Sequence, residues 1–302
     1  MPTTRRPLLT RLCFGLLCQT ILFALFRSYL LPDGFDEDAG LAVITLVTAV
    51  PVLLAVGWPF LREELRWRGR DLSVLRAVGL VFAAIAVSIV GGILAGLVGK
   101  LCGALGWSTS TGVGVATSHV TLWGVLYACL VGPVIEELVW RGAALGVLAR
   151  YGRGLAIVLS AIGFGLTHHD LEQGISAFCT GLLLGYIAWT WGLRYAIGAH
   201  ILSNSWDTLA SSLTSTNAGS EAHLGNLVVA LVTVAAIIIG IILLIAEMKV
   251  RRAPDARAAR PVTEPGEEER EAAGAHPWWR DAVLWAYVLA ELVLTAKAMA
   301  GI

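Results

Sequence analysis

Charge is scarcest in this chain where a soluble protein would need it most. Between Arg76 and Glu136 the one formal charge is Lys100, and only 15% of all residues are charged against 57% hydrophobic. With a mean hydropathy of +0.74, an ordinary water-soluble domain is excluded. Cysteine is sparse as well. Cys13, Cys18, Cys102, Cys129 and Cys179 fall singly in apolar runs without metal-ligand spacing, so they read as small buried hydrophobes. No internal repeat and no His-Glu-x-x-His pair is present. The apolar runs also lack the apolar/polar alternation of barrel strands. A net charge of zero gives no argument for nucleic acid, and none is expected as a partner.

What the chain does have is long apolar runs. They lie near 10–31, 41–61, 77–101, 118–140, 154–169, 175–193, 195–213, 226–248 and 281–301. A bilayer crossing takes about 20 such residues, and only helices or closed barrels satisfy the backbone in lipid. The sequence therefore predicts an all-α, polytopic transmembrane bundle with about eight or nine spans. The expected organisation is N-terminal membrane helices over 1–117, a catalytic core over 118–213, a further membrane helix over 214–250, a charged disordered linker over 251–277, and a last helix over 278–302. That last helix carries Glu291 and Lys297 and either spans or lies along the interface.

Loop charges set the expected orientation. Arg5, Arg6 and Arg11 precede the first run; Arg62, Arg66, Arg68, Arg70 and Arg76 follow the second. Arg150 with Arg153, then Arg194, then Lys249 with Arg251 and Arg252, occupy every second loop thereafter. The intervening loops near 32–40, 102–117, 170–174 and 214–225 contain no Lys or Arg. The positive-inside rule then puts the N-terminus in the cytoplasm. The first run begins like a signal peptide, but no small-residue cleavage site follows, so a retained anchor is expected.

Against this background Glu136-Glu137-Leu138-Val139-Trp140-Arg141 stands out. Ionisable groups at membrane depth cost about 2.5–3.5 kcal/mol each on insertion scales and mark function. Glu137 and Arg141, four apart, share a helix face and can pair. Glu136 faces elsewhere and is left free for chemistry. Tyr151-Gly152-Arg153 reads as a tight turn, with Glu136 sixteen residues before Gly152 and His168 sixteen after it. Equal hairpin arms bring the two to one depth, with Phe164 on the face of His168. His200 and Asn204, again four apart, offer an imidazole and an amide together. Because His200 lies so near the turn at 191–194, the depths agree only if the Gly152 hairpin protrudes by a few turns. That places the site toward the cytoplasmic side.

Glu-Glu-x-x-x-Arg, Phe-x-x-x-His and His-x-x-x-Asn, in this order on successive membrane helices, resemble the CAAX protease and bacteriocin-processing family. This family, also called the ABI family of intramembrane glutamic proteases, includes the type II prenyl endopeptidases. The likeness covers roughly 118–210, with Gly132-Pro133, Gly142, Ser160 and Gly163 as framing residues. Trp140 stands where an aromatic, commonly Phe, is usual, and His169-Asp170 is an addition. The resemblance implies peptide-bond hydrolysis without a covalent intermediate. Glu136 would be general base on a water shared with His168, while His200 and Asn204 would stabilise the oxyanion. Glu137 and Arg141 would hold the helix and touch the substrate backbone. His169 and Asp170 are expected to be loop or supporting groups. The implied partners are the bilayer and a peptide or protein substrate, membrane-associated or lipidated, in a bacterial cytoplasmic membrane. No cofactor is expected. The rivals are a zinc protease using Glu136, His168 and His200, a non-catalytic scaffold, immunity or regulatory protein of the same fold, and a transporter.

Overall fold

Caps and helix breakers in the sequence set the elements. Asp36, Ser73, Thr121 and Asp170 each accept a backbone N–H of the turn they open, at 3.0, 3.3, 2.8 and 2.8 Å. Each such cap contributes about 1 kcal/mol. Gly57, Gly152 and Gly192, at φ 83°, 99° and 115°, stop the helices before them. The computed structural model describes residues 8–29, 36–107, 121–215, 220–250 and 278–300, and among these there is no strand. The charged linker 251–277 and the arginines at 5 and 6 lie outside the described residues.

The helices are α1 Leu8–Tyr29, α2 Glu37–Val56, α3 Trp58–Arg66 and α4 Val74–Ala104. They continue as α5 Leu122–Tyr151, then α6 Arg153–Leu166, α7 Leu171–Thr190, α8 Leu193–Ser215, α9 Ser220–Val250 and α10 Ala282–Ala300. Seven of them are long and apolar enough to cross a membrane, so the chain is an integral membrane protein. Two of the nine apolar runs fall outside that set. The run near 154–169 becomes α6, whose 14 residues reach only about 21 Å, short of a ~30 Å hydrocarbon core. The run near 195–213 becomes α8, long enough at 23 residues but studded with His200, Ser203, Asn204, Ser205, Asp207 and Thr208.

Packing explains how lipid tolerates α8. It lies against α4, α5, α7 and α9, which screen its polar face. Around this centre α4 runs along α7 and α9, α6 along α7, and α1 along α2 and α10. The last helix is oriented by two contacts: Thr10 donates to Asp281 and Thr20 to Glu291, each at 2.5 Å. Helices α1 and α10 therefore run parallel in step, and α10 is long and apolar enough to cross a membrane. Of the five thiols, all free, only Cys13 is buried. The other four sit half-buried on helix flanks, because a span in a bundle this thin turns part of its circumference outward.

The α5–α6 hairpin does protrude. A Cβ on Gly142 would meet both Leu61 of α3, at 2.9 Å, and Leu193 at the start of α8, at 3.3 Å. Residue 142 is thus level with the α7–α8 joint, and Gly152 lies ten residues, or about 15 Å, beyond it. Helix α3 covers the protruding arm, with the Phe60 ring against Gly146. The joint itself is tied to the segment after α3 by Arg70 N–H donating to Thr190 O, 2.9 Å.

Candidate active site

Helix α5 is not uniform. Two π-helical turns, Tyr127–Val131 and Leu138–Ala144, flank the α-helical Gly132–Glu137 that ends in the acidic pair. Such bulges re-aim side chains and are frequent at functional sites. The first has a specific chemical consequence. Gly132 N–H donates back to Tyr127 O, and Pro133 has no N–H, so neither can serve the Ala128 carbonyl. Asn204 Nδ2 of α8 donates to it instead, at 3.0 Å. An unpaired buried carbonyl would cost about 1–3 kcal/mol, so this contact fixes both α8 and the Asn204 amide. It leaves the second amide N–H of Asn204 uncommitted.

The acidic pair splits as the helix geometry demands. Glu137 is fully buried, 0% exposed, with Oε1 at 2.9 Å from Arg141 Nη1, itself 0% exposed. Nη1 and Glu137 Oε2 have no aligned hydrogen-bond partner in the protein, so the contact acts as an ion pair by proximity. Arg141 Nη2 donates to Gly181 O on α7, 3.2 Å, and its guanidinium lies 4.4 Å from the Phe164 ring centroid. This pins α5 to α6 and α7. Both side chains are sealed inside the bundle. Glu136 is 29% exposed, and its Oε2 lies 3.7 Å from His200 Nε2.

His200 sits between the two carboxylates. Its Nδ1–H donates to Glu137 Oε1 at 3.1 Å, which turns Nε2 toward Glu136. His168 is fixed in a different way. It lies just past the end of α6, where the Phe164 carbonyl has lost its helical partner. His168 Nδ1–H donates to that carbonyl at 2.9 Å, as does the Thr167 hydroxyl at 2.8 Å. The bond selects the tautomer and frees Nε2. The Phe164 ring meets His168 edge-on at 5.0 Å and His200 at 5.8 Å. Gly163 makes room for this packing, since a Cβ there would lie 2.3 Å from the Trp140 ring.

The structure thus gathers Glu136, Glu137, Arg141, Phe164, His168, His200 and Asn204 onto one core of α5, α6 and α8. Glu136 and His168 form no direct hydrogen bond or ion pair with each other; the Phe164 ring contacts both imidazoles, and His200 lies 3.7 Å from Glu136. Among the described residues no group of three or more His, Cys, Asp and Glu is arranged to hold a metal ion.

Sequence reasoning missed two things here. Asp207 accepts from Ser88 of α4 at 2.9 Å and extends the polar face of α8 by a turn; its spacing of seven from His200 was the available signal. The addition after the second motif also has a partner. Asp170 caps α7 through Gln173 N–H at 2.8 Å, while His169 reaches away from the site to Glu291.

A helical membrane bundle with a Glu/His/Asn core built from three helices is the class these observations define. Residues 117–206 match the family described as Type II CAAX prenyl endopeptidase Rce1-like, and all seven of the core residues named above fall inside that stretch. The match supports a membrane protease of the CAAX type. No match was found among curated proteins or among solved structures.

Proposed function

We propose that this chain is an intramembrane endopeptidase in which Glu136 activates a water for attack on a peptide bond. Glu136 is the partly exposed carboxylate of the pair, while Glu137 is committed to Arg141 and His200. That division of labour between adjacent glutamates is the observation that carries the reading. Glu136 takes a proton from water as the water oxygen bonds to the scissile carbonyl carbon, with His168 Nε2 helping to hold that water. The resulting oxyanion accepts from protonated His200 Nε2 and from the free N–H of Asn204. Collapse breaks the C–N bond, Glu136 returns the proton to the leaving nitrogen, and the products are a carboxylate and an amine. General base and oxyanion donors of this kind contribute about 10²–10⁴ and 10²–10³ respectively.

The reading is metal-free. Among the described residues, no group of three or more His, Cys, Asp and Glu is arranged as ligands around one position. The substrate is a peptide or protein segment presented at the membrane, lipidated or membrane-anchored. The end of the bundle formed by α3, the hairpin and the α7–α8 joint carries Arg62, Arg66, Arg150, Arg153 and Arg194. That supports a cytoplasmic location for this end and for the N-terminus.

The test is cleavage of a panel of peptides and lipopeptides in liposomes by the wild type and by Glu136→Gln, with and without a strong chelator. Chelator-resistant cleavage that disappears in Glu136→Gln supports the proposal. Activity lost on chelation and restored by zinc replaces it with the metal reading.

A further inference from the structure

The turn that carries His168 is anchored residue by residue. Thr167 and His168 both bond Phe164 O, His168 N–H donates to Gly165 O at 3.3 Å, and His169 N–H to Leu166 O at 3.2 Å. At its far side Asp170 caps α7. The backbones of α6 and α7 approach so closely here that a Cβ on Gly165 would lie 2.7 Å from Gly174 O.

Within this turn His169 has φ +52°, the one non-glycine residue with positive φ among those described. The left-handed region is uncommon for a residue with a Cβ and persists where surroundings over-determine it. The His169 side chain supplies that determination from outside the hairpin. Its Nε2–H donates to Glu291 Oε2 of α10 at 2.7 Å, across 122 residues of sequence. Glu291 is 0% exposed, and its other oxygen accepts from Thr20 of α1. Both oxygens of a sealed carboxylate are thus satisfied, one by each neighbour.

We propose that Glu291 and His169 are a positioning pair for His168, and that α10 is for this reason part of the catalytic unit. The proposal rests on the protease reading of the site. With the bond in place the 168–169 peptide is held in one orientation, and the His168 ring with it. Without it, His169 relaxes toward negative φ, the peptide rotates, and Nε2 of His168 leaves the position that holds the attacking water. Neither Glu291 nor His169 touches the reacting atoms.

The experiment uses the full chain in liposomes and internally quenched peptides with and without a C-terminal prenylcysteine. Variants are Glu291→Ala, Glu291→Gln, His169→Ala, the Glu291/His169 double substitution and His169→Asn. Thr10→Val serves as control, since it cuts the other α1–α10 contact, to Asp281, at a distance from the turn. The expected result is a fall in kcat of about 10- to 100-fold with KM little changed, the scale of a displaced catalytic group. The double variant is expected to be no worse than either single one. Asparagine, which tolerates the left-handed region and offers an amide N–H, is expected to restore much of the rate. Wild-type kcat in a folded Glu291→Ala overturns the inference. So does an equal loss in Thr10→Val, which would make the effect general loosening of α10. Where Glu291→Ala does not fold, His169→Ala at unchanged melting temperature carries the same comparison, because it removes the donor of the same bond. Glu136→Gln run alongside separates the two claims. Cleavage retained there overturns the reading of the site and this inference with it; cleavage lost there, with normal kcat in the Glu291 variants, overturns the inference alone.

Discussion

Glu137 and Glu291 are both fully buried, and each meets one histidine, yet the regions around them are built differently. Around Glu137 a full cation is present, Arg141, together with a π-distorted helix and a second carboxylate, Glu136, that reaches solvent-accessible space. Around Glu291, Thr20 and His169 each donate to one carboxylate oxygen and the buried Tyr287 hydroxyl lies alongside; among the described residues no arginine or lysine pairs with it. Under the proposed function the first region holds charge for chemistry, and under the further proposal the second holds a turn. On that reading, burial of an acid in a membrane bundle does not by itself mark chemistry; an adjacent, partly exposed acid does.

Substitutions break this comparison in graded steps. The largest effect is expected for Glu136→Gln: turnover falls by up to about 10⁴, while the melting temperature, read by a thermal-shift assay, stays near that of the wild type. Arg141→Met comes next and acts on stability rather than on chemistry. It leaves Glu137 buried without its cation and is expected to cost about 3–5 kcal/mol by urea or thermal unfolding in detergent. Asn204→Ala removes an oxyanion donor, for a loss of about 10²–10³ in kcat, and also exposes the Ala128 carbonyl to an unpaired state. The loss expected at Glu291, about 10- to 100-fold, is smaller again. The smallest is expected for Ile238→Val on α9, an exposed position on the apolar flank. There both activity and stability should stay within about 0.5 kcal/mol, and a larger change would show that this flank is an interface.

The sequence made local geometry legible. The Glu137–Arg141 pair follows from a spacing of four, the Phe164–His168 contact likewise, and Gly152 marks the hairpin whose protrusion the position of His200 required. What stayed hidden depends on hydrogen-bond register or on distance along the chain. The π turns of α5 have no residue pattern of their own, and so the bond from Asn204 to Ala128 O, which needs both a π turn and Pro133, could not be read. Glu291 was visible as a charge in an apolar run, but its partner lies 122 residues away, and no periodicity links them. Seven helices meet the length and hydropathy expected of a span, and the remaining two apolar runs become α6, which is short, and α8, whose polar face is enclosed by its neighbours.

The polar face of α8 has a consequence for biogenesis. A lone helix bearing Asp207 near its middle partitions poorly from the translocon into lipid, because one Asp at the centre costs about 2.5–3.5 kcal/mol. Helix α9, which follows it and is strongly apolar, has no such difficulty. Integration of α8 is therefore expected to depend on the helices it packs against, α4, α7 and α9. The polar face that presents His200 and Asn204 is thus continuous with Asp207, the residue that disfavours entry of α8 into the bilayer alone.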